Sequence, residues 1–205
     1  MLKKNVSLLL MLFILMPVFV YADSSTDQKS YTAYNIWRGP SSNMKCINYK
    51  MSNDFIPAGT EVLNPRVRAE LNDDFEPEIK KIVFKIASSG ETITIGFTSK
   101  WHPGKSINDC KEKMFTNKNF DEMTKDMKDF EKAAIEEGIL VEGMSREAVI
   151  MSYGYPPEHQ TSSFKNDTWM YWMKKVRRKK ICFEDDKTID CKKARKEILR
   201  NKELL

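Results

Sequence analysis

Few side chains in this sequence could do chemistry, and they do not fall into catalytic motifs. The two histidines are His102 and His159, and neither accompanies a recognisable serine or cysteine nucleophile motif. Cys110 lies between Asp109 and Lys111 on a predicted helix, where a thiol is more often structural than reactive. The eight glycines are spread along the chain, so no Gly-rich loop could cradle a phosphate. We therefore expect a protein that is not an enzyme and needs no cofactor.

The first residues have the three-part layout of a secretory signal peptide. Lys3 and Lys4 precede an apolar run from Leu8 to Val20, and a cleavage site follows at Val20-Tyr21-Ala22. The run is shorter than the roughly twenty residues of a membrane-spanning helix, which disfavours the alternative of an uncleaved anchor. No cysteine lies at the cleavage point to carry a lipid. We predict a signal peptide over 1–22, no membrane span after its removal, and a soluble periplasmic or secreted protein.

The four cysteines favour disulfides over a metal site. They are even in number and follow the predicted leader, as is typical of chains exported to an oxidising compartment. A two-residue turn at Asp186-Lys187 would place Cys182 and Cys191 opposite each other in a hairpin, and this loop would be worth roughly 2.5 to 3 kcal/mol. We pair the other two as Cys46 with Cys110. The alternatives are four reduced buried thiols or, less well supported because no CxxC occurs, a zinc site.

The charge balance excludes a general nucleic-acid binder. Removing Lys3 and Lys4 from the 34 basic residues leaves 32 against 29 acidic residues, a formal charge of about +3. Positive charge is concentrated in 174–180 and in a basic tail over 192–205. We interpret these segments as a solvated strand edge and a charged tail, with a docking patch for acidic partners or anionic lipid as the alternative.

The segment 31–101, which follows a flexible lead-in over 23–30, has the pattern of a small all-β domain. Short runs rich in β-branched and aromatic residues alternate with turn residues. The predicted strands are Tyr31 to Trp37, Met44 to Met51, Glu61 to Ala69, Ile79 to Ile86 and Thr92 to Phe97. Four aromatic residues could line a groove or pack in the core, and we favour the core: Tyr31, Tyr34, Trp37 and Tyr49.

Helical patterns occupy a connector over 102–138. Ser106 can cap a short helix that runs to about Phe115. A longer helix is predicted from about Phe120 to Glu137. Its apolar stripe, which we interpret as core filler rather than a binding groove, comprises Met123, Met127, Phe130, Ala134 and Ile135.

The segment 139–191 predicts one helix followed by three strands. Ser145 can cap a helix that continues to Tyr153, and Gly154 can end it. Strand-like runs follow at 168–173, 181–183 and 187–189. We expect the helix to pack on an antiparallel sheet, which makes the chain an α+β protein.

These carboxy-terminal pieces resemble the SmpA/OmlA family, the BamE-like domain of bacterial envelopes. The resemblance covers about sixty residues and rests on the spacing of four segments: Glu142 to Val149, Tyr153 to Pro156, Trp169 to Trp172 and Lys180 to Asp185. It implies an α+β module for protein contact, similar in outline to β-lactamase inhibitor protein and without catalytic activity. It also implies structural roles for Gly143, Met144, Gly154 and Pro156.

Strand alternation divides the aromatic residues of the first carboxy-terminal strand between two faces. Trp169 and Tyr171 share one face, whereas Met170 and Trp172 share the other. One face must be core, and the other, together with the preceding loop, is the candidate contact surface. The candidate binding residues are Tyr155, Pro157, His159, Trp169, Tyr171, Trp172, Arg177 and Arg178.

The amino-terminal domain resembles a bacterial SH3-like barrel, on its strand lengths, the turn and strand from Ile56 to Val62, and the final hairpin. Such domains in exported proteins are often ligand or wall-peptide binders. The leading hypothesis is therefore a scaffold or assembly factor that binds another envelope protein. The alternatives are peptidoglycan or small-ligand binding through the SH3-like domain, and inhibition of an exported enzyme.

Overall fold

The computed structural model describes residues 29–39, 44–48, 50–71, 77–173 and 177–193. The predicted signal peptide, most of the lead-in, Tyr49 and the tail beyond Lys193 lie outside the described residues. Among the described helices, none combines the length and the apolar character that crossing a membrane would require.

The chain is an α+β protein with antiparallel sheets. Seven strands belong to its first part: β1 Ser30–Thr32, β2 Ile36–Trp37, β3 Phe55–Ile56, β4 Glu61–Leu71, β5 Pro77–Ile86, β6 Thr92–Gly96 and β7 Phe115–Thr116. The helices are α1 Ile107–Met114, α2 Phe120–Thr124, α3 Asp129–Glu136 and α4 Arg146–Tyr153, with a 3-10 turn at Ser99–Trp101. The remaining strands are β8 Thr168–Met173, β9 Arg177–Glu184 and β10 Lys187–Ile189.

The first sheet has the strand order β6-β5-β4-β1-β7. The predicted alternation is confirmed, because Ile82, Phe84 and Ile86 of β5 are buried in one hydrophobic cluster. Helix α1, capped by Ser106 as predicted, adds Ile107, Cys110 and Met114 to the same cluster. Helix α3 contributes instead to a second cluster around α4 and the second sheet. The domain boundaries expected from the sequence stay a prediction.

The predicted strand over residues 44–51 is wrong. The described residues of this segment make only isolated bridges, at Lys45 and at Lys50. Asn48 takes a φ of 50°, and its side chain bonds the backbone of the neighbouring segments instead of leaving the chain free to extend. These bonds join residues at least 11 positions apart, so tertiary hydrogen bonds hold the segment out of a strand ladder.

The long helix predicted from Phe120 to Glu137 is two helices, α2 and α3. The Thr124 hydroxyl donates to the Phe120 carbonyl oxygen at 2.9 Å, and Lys128 is extended with a ψ of 152°. The Lys128 N–H then donates to the Glu131 carboxylate, which starts the second helix. As a consequence Phe130 is exposed, so the five predicted apolar positions do not form one buried stripe.

The second sheet has the order β10-β9-β8, and α4 packs on one of its faces, as the sequence predicts. The Ser145 hydroxyl accepts the Ala148 N–H at 3.2 Å, and Gly154 ends the helix with a φ of 80°. A Cβ at Gly154 would also collide with the Asn48 side chain. Its predicted structural role therefore has two independent causes.

Both predicted disulfides are confirmed. Cys46 pairs with Cys110, which we call the connector disulfide, and Cys182 pairs with Cys191, the hairpin disulfide. The predicted turn at Asp186-Lys187 is wrong by one residue, because Glu184 lies opposite Lys187 and the turn residues are Asp185-Asp186, both with positive φ. The two hairpin cysteines are consequently not direct cross-strand partners.

Two buried asparagines join the hydrophobic clusters. The Asn35 amide donates to the carbonyl oxygens of Ile135 and Ser152 at 2.6 and 3.2 Å, and its oxygen accepts the Ala58 N–H at 2.8 Å. Asn48 donates to the Asn35 carbonyl oxygen at 2.9 Å. We call this network the asparagine seam. It holds the ends of α3 and α4 against the first part of the chain.

Candidate protein-contact surface

The three-stranded sheet has one covered face and one open face. Trp169 is 0% exposed and Tyr171 is 3% exposed, and both pack in the cluster with α4. The Tyr171 hydroxyl donates to the Gly154 carbonyl oxygen at 2.8 Å, and burial raises the pKa of this phenol well above its usual value. These two candidate binding residues are therefore core residues, because no partner can reach them.

The open face carries a cross-strand pair of Trp172 and Arg178. The two residues are directly opposite in the β8–β9 register, and the guanidinium carbon lies 5.7 Å from the indole ring centroid. Such a cation–π contact is worth about 0.5–1 kcal/mol at an exposed site. The next pair on this face is Met170 with Lys180. Partly exposed tryptophan and methionine beside cations have the composition of a protein-contact site.

His159 fixes the orientation of the Trp172 ring. The planes of the two rings are nearly parallel, at 17° with centroids 6.2 Å apart, and Trp172 Nε1 donates to His159 Nε2 at 3.2 Å. His159 Nδ1 lies 3.3 Å from the Trp101 carbonyl oxygen, which fits a neutral imidazole carrying its hydrogen on Nδ1. The ring centroids of Trp101 and His159 are 5.0 Å apart, with the two planes tilted by 51°. These contacts define the Trp172 surface: Trp101, His159, Met170, Trp172, Arg178 and Lys180.

Glu158 anchors the loop that contains His159 to helix α1 and to His102. Its carboxylate is 2.6 Å from Lys113 Nζ of α1 and 3.7 Å from His102 Nδ1. Burial, helped by repulsion from Lys113, lowers the pKa of His102 and outweighs the attraction of Glu158. The anchor ties the loop to α1, the helix that the connector disulfide also holds.

Other candidate binding residues support this loop instead of facing a partner. Pro156 and Pro157 are buried, and Tyr155 packs edge-to-face on Tyr34 at 5.9 Å. Tyr155 also has an ammonium group above its ring, since Lys113 Nζ is 5.1 Å from the centroid. Pro156 therefore lies where its expected structural role would place it. Tyr155 and Pro157, which were candidate binding residues, instead pack beneath the loop and support it.

Gly143 and Met144 join the helix start to the last strand. The Gly143 N–H donates to the Thr188 carbonyl oxygen at 2.8 Å, and the Met144 N–H donates to the Thr188 hydroxyl at 2.9 Å. Met144 is fully buried. Both residues lie where the structural role assigned to them from the sequence would place them.

Arg177 and Arg178 lie on opposite faces of the sheet. Arg177 is opposite Met173, on the side of Tyr171, whereas Arg178 belongs to the Trp172 surface. Among the described residues none of the four basic residues of β9 makes an ion pair, and the hydrogen-bond partner of Arg178 is the Gln160 amide oxygen at 3.4 Å. The Trp172 surface therefore presents positive charge that is free to meet an acidic group.

Sequence reasoning placed Met170 on the face of Trp172 but missed Trp101 and Lys180 as members of this surface. Lys180 follows from the two-residue period once the β8–β9 register is known. Trp101 is adjacent to His102, but no sequence pattern connects it to a strand that lies about seventy residues further along the chain.

No group of three or more metal-ligating side chains occurs among the described residues. Searches with family models, among curated proteins and among solved structures found no match to the chain.

Proposed function

We propose that this protein is exported to the cell envelope, is not an enzyme, and binds another envelope protein through the Trp172 surface as a scaffold or assembly factor. The single observation that carries the proposal is the Trp172–Arg178 pair, held by His159 on the open face of a sheet. Tryptophan and arginine make disproportionate contributions to the affinity of protein interfaces. A ring already held in place loses little side-chain entropy on binding.

Two further features support this function. The two disulfides fit a protein exported to an oxidising compartment such as the periplasm. The helix and three antiparallel strands have the order that a SmpA/OmlA (BamE-like) module requires, and the proposal includes that assignment for 139–191. For the SH3-like part, the deep burial of Tyr34 and Trp37 disfavours an aromatic groove for peptidoglycan.

Site-specific photo-crosslinking in intact cells tests the proposal. A benzophenone amino acid in place of Met170, which lies beside Trp172 on the open face and leaves Trp172 and Arg178 intact, should give a discrete protein adduct, because this position faces the partner. The matched control is the same label at Leu63, which is 44% exposed on the first sheet. Equal adducts at both positions, or retention of the purified protein on isolated peptidoglycan in place of a protein adduct, would refute the proposal. An adduct with an exported enzyme whose activity falls would identify the partner as the target of an inhibitor.

The variant Trp172→Ala gives a second readout. In affinity purification, this variant should no longer retain the protein that the crosslinking identifies. Its melting transition should stay cooperative, since the Trp172 side chain is only partly buried. The control variant Leu63→Ala should retain the partner. Collapse of the melting transition in Trp172→Ala would instead make the residue part of the core.

A further inference from the structure

A second cluster of polar groups lies on the opposite face of the same sheet, around Tyr153. Lys50 Nζ donates to the Gly138 carbonyl oxygen at 2.9 Å and lies 3.4 Å from the Tyr153 hydroxyl oxygen. The same ammonium is 3.9 Å from the Trp37 ring centroid and 4.9 Å from that of Tyr153. Lys50 is thereby held in one place, at the point where the chain leaves α3.

Lys179 approaches the same tyrosine from β9. Its Nζ lies 5.2 Å from the Tyr153 ring centroid, and its side chain is only partly exposed. No carboxylate or carbonyl oxygen of the described residues accepts a hydrogen bond from this ammonium. Lys179 thus keeps three N–H donors for a ligand.

The electrostatics of the cluster are unfavourable without an anion. Burial, and then repulsion by Lys179, lowers the pKa of Lys50, and burial lowers the pKa of Lys179. Tyr153 itself is only 4% exposed, and burial raises the pKa of its hydroxyl. Two ammonium groups therefore flank one buried ring, and like charges in a partly desolvated place gain most from a counter-ion.

We propose that Lys50 and Lys179, which flank the buried Tyr153 ring, form a binding site for an oxyanion, the phosphate or carboxylate group of a ligand. Lys179 supplies free hydrogen-bond donors, and Lys50 adds a fixed positive charge. Arg177, exposed two residues before Lys179 on the same face, strengthens the positive potential at the entrance. The contact of Lys50 with Gly138 explains that lysine as a cap of the α3 end, but it gives no role to Lys179.

This site is separate from the Trp172 surface. Lys179 lies opposite Tyr171 on the covered face, whereas Lys180 lies opposite Met170 on the open face. Adjacent residues of one strand therefore serve as test and control, since Lys180→Met removes the same charge from the other side of the sheet.

The test is an NMR titration of the disulfide-bonded protein with sodium phosphate, and in a second arm with sodium acetate, against sodium chloride at equal ionic strength. We expect saturable shifts of the Tyr153 ring and of the Lys50 and Lys179 side chains, and a rise in the pKa of Lys179 when the anion is bound. Lys179→Met should weaken the affinity at least about tenfold, because a charge-assisted hydrogen bond is worth at least that factor. Lys180→Met should leave it unchanged.

The two arms separate the two sources of the oxyanion, since preference for phosphate or for acetate identifies the group that the ligand carries. The absence of saturable shifts in both arms overturns the proposal. An equal loss of affinity in Lys179→Met and Lys180→Met also overturns it, because the loss would then follow from the net charge of the protein and not from a specific site. If Lys50→Met fails to fold because α3 loses its cap, the Lys179 pair of variants still decides.

Discussion

Replacing Asn35 by alanine should destabilise the whole protein. Asn35 is 0% exposed, and its side chain makes three hydrogen bonds across the asparagine seam. The variant leaves the Ala58 N–H and the Ser152 carbonyl oxygen without a partner among the described residues. The Ile135 carbonyl oxygen is less affected, because it also accepts the Gly138 N–H at 3.0 Å.

The expected cost follows from these two orphaned groups. Each buried backbone group that loses its partner costs about 1–3 kcal/mol, so the free energy of unfolding should fall by about 2 to 6 kcal/mol. That is a large share of the roughly 5–15 kcal/mol that stabilises a typical domain. Urea titration followed by tryptophan fluorescence and by circular dichroism measures the loss.

Two comparison variants separate hydrogen bonding from lost volume. Asn35→Asp keeps the acceptor for Ala58 but turns a carboxylate oxygen towards two carbonyl oxygens, so it should be at least as destabilising as alanine. Asn108→Ala, on the exposed side of α1, should change stability by less than about 0.5 kcal/mol. A loss below about 1 kcal/mol in Asn35→Ala, or an Asn35→Asp variant of wild-type stability, would refute the reasoning.

Three further predictions concern charge and covalent links. Removing the connector disulfide, which spans 64 residues, should cost more stability in urea titrations than removing the hairpin disulfide, which spans 9: about 4 against about 2.7 kcal/mol. The pKa of His102 is lowered in the folded protein, so the unfolded chain binds more protons than the folded protein as the pH falls below 6.5. The urea midpoint should therefore drop between pH 7 and pH 5, and it should drop less in His102→Gln. Burial alone would raise the pKa of Glu131, but the N–H groups of Ser145 and Lys128 outweigh burial and lower this pKa. Glu131→Gln should therefore reduce the free energy of unfolding by about 1–3 kcal/mol at pH 7 and by much less at pH 3, measured by thermal or urea titration.

Local signals predicted the elements that depend on neighbouring residues. The serine caps at Ser106 and Ser145 and the end of α4 at Gly154 rest on contacts within a few residues. Such contacts are visible in a single sequence because the pattern and the partner lie in the same segment. The order of helix and strands in 139–191 followed from them.

The sequence could not reveal elements that depend on distant partners. Residues 44–51 have strand propensity, but the Asn48 side chain donates hydrogen bonds to the carbonyl oxygens of Asn35 and Tyr153. No local sequence pattern predicts those partners. The break between α2 and α3 depends on Glu131, whose carboxylate serves both Lys128 and Ser145. Tertiary hydrogen bonds overrode propensity in both places.

The candidate site shows the same division. The two-residue period of β8 separated Trp169 from Trp172, yet only packing against α4 determines which ring is core. The pairing of Trp172 with Arg178 needs the register, and the hairpin turn that sets the end of β9 was misplaced by one residue. A one-residue error matters because it moves every side chain of a strand to the other face.

The asparagine seam and the Glu158 anchor together have a consequence for binding. The seam fixes α4 and the segment before it. Glu158 attaches the loop that contains His159 to helix α1. The Trp172 ring is therefore positioned by contacts from both halves of the chain, and its orientation depends on their relative placement. Partner affinity should consequently fall in Asn35→Ala even at temperatures where the protein stays folded, because the variant loosens the support of a surface that it does not touch. A variant with reduced stability but unchanged affinity would show that β8, β9 and the His159 loop hold the surface without the seam.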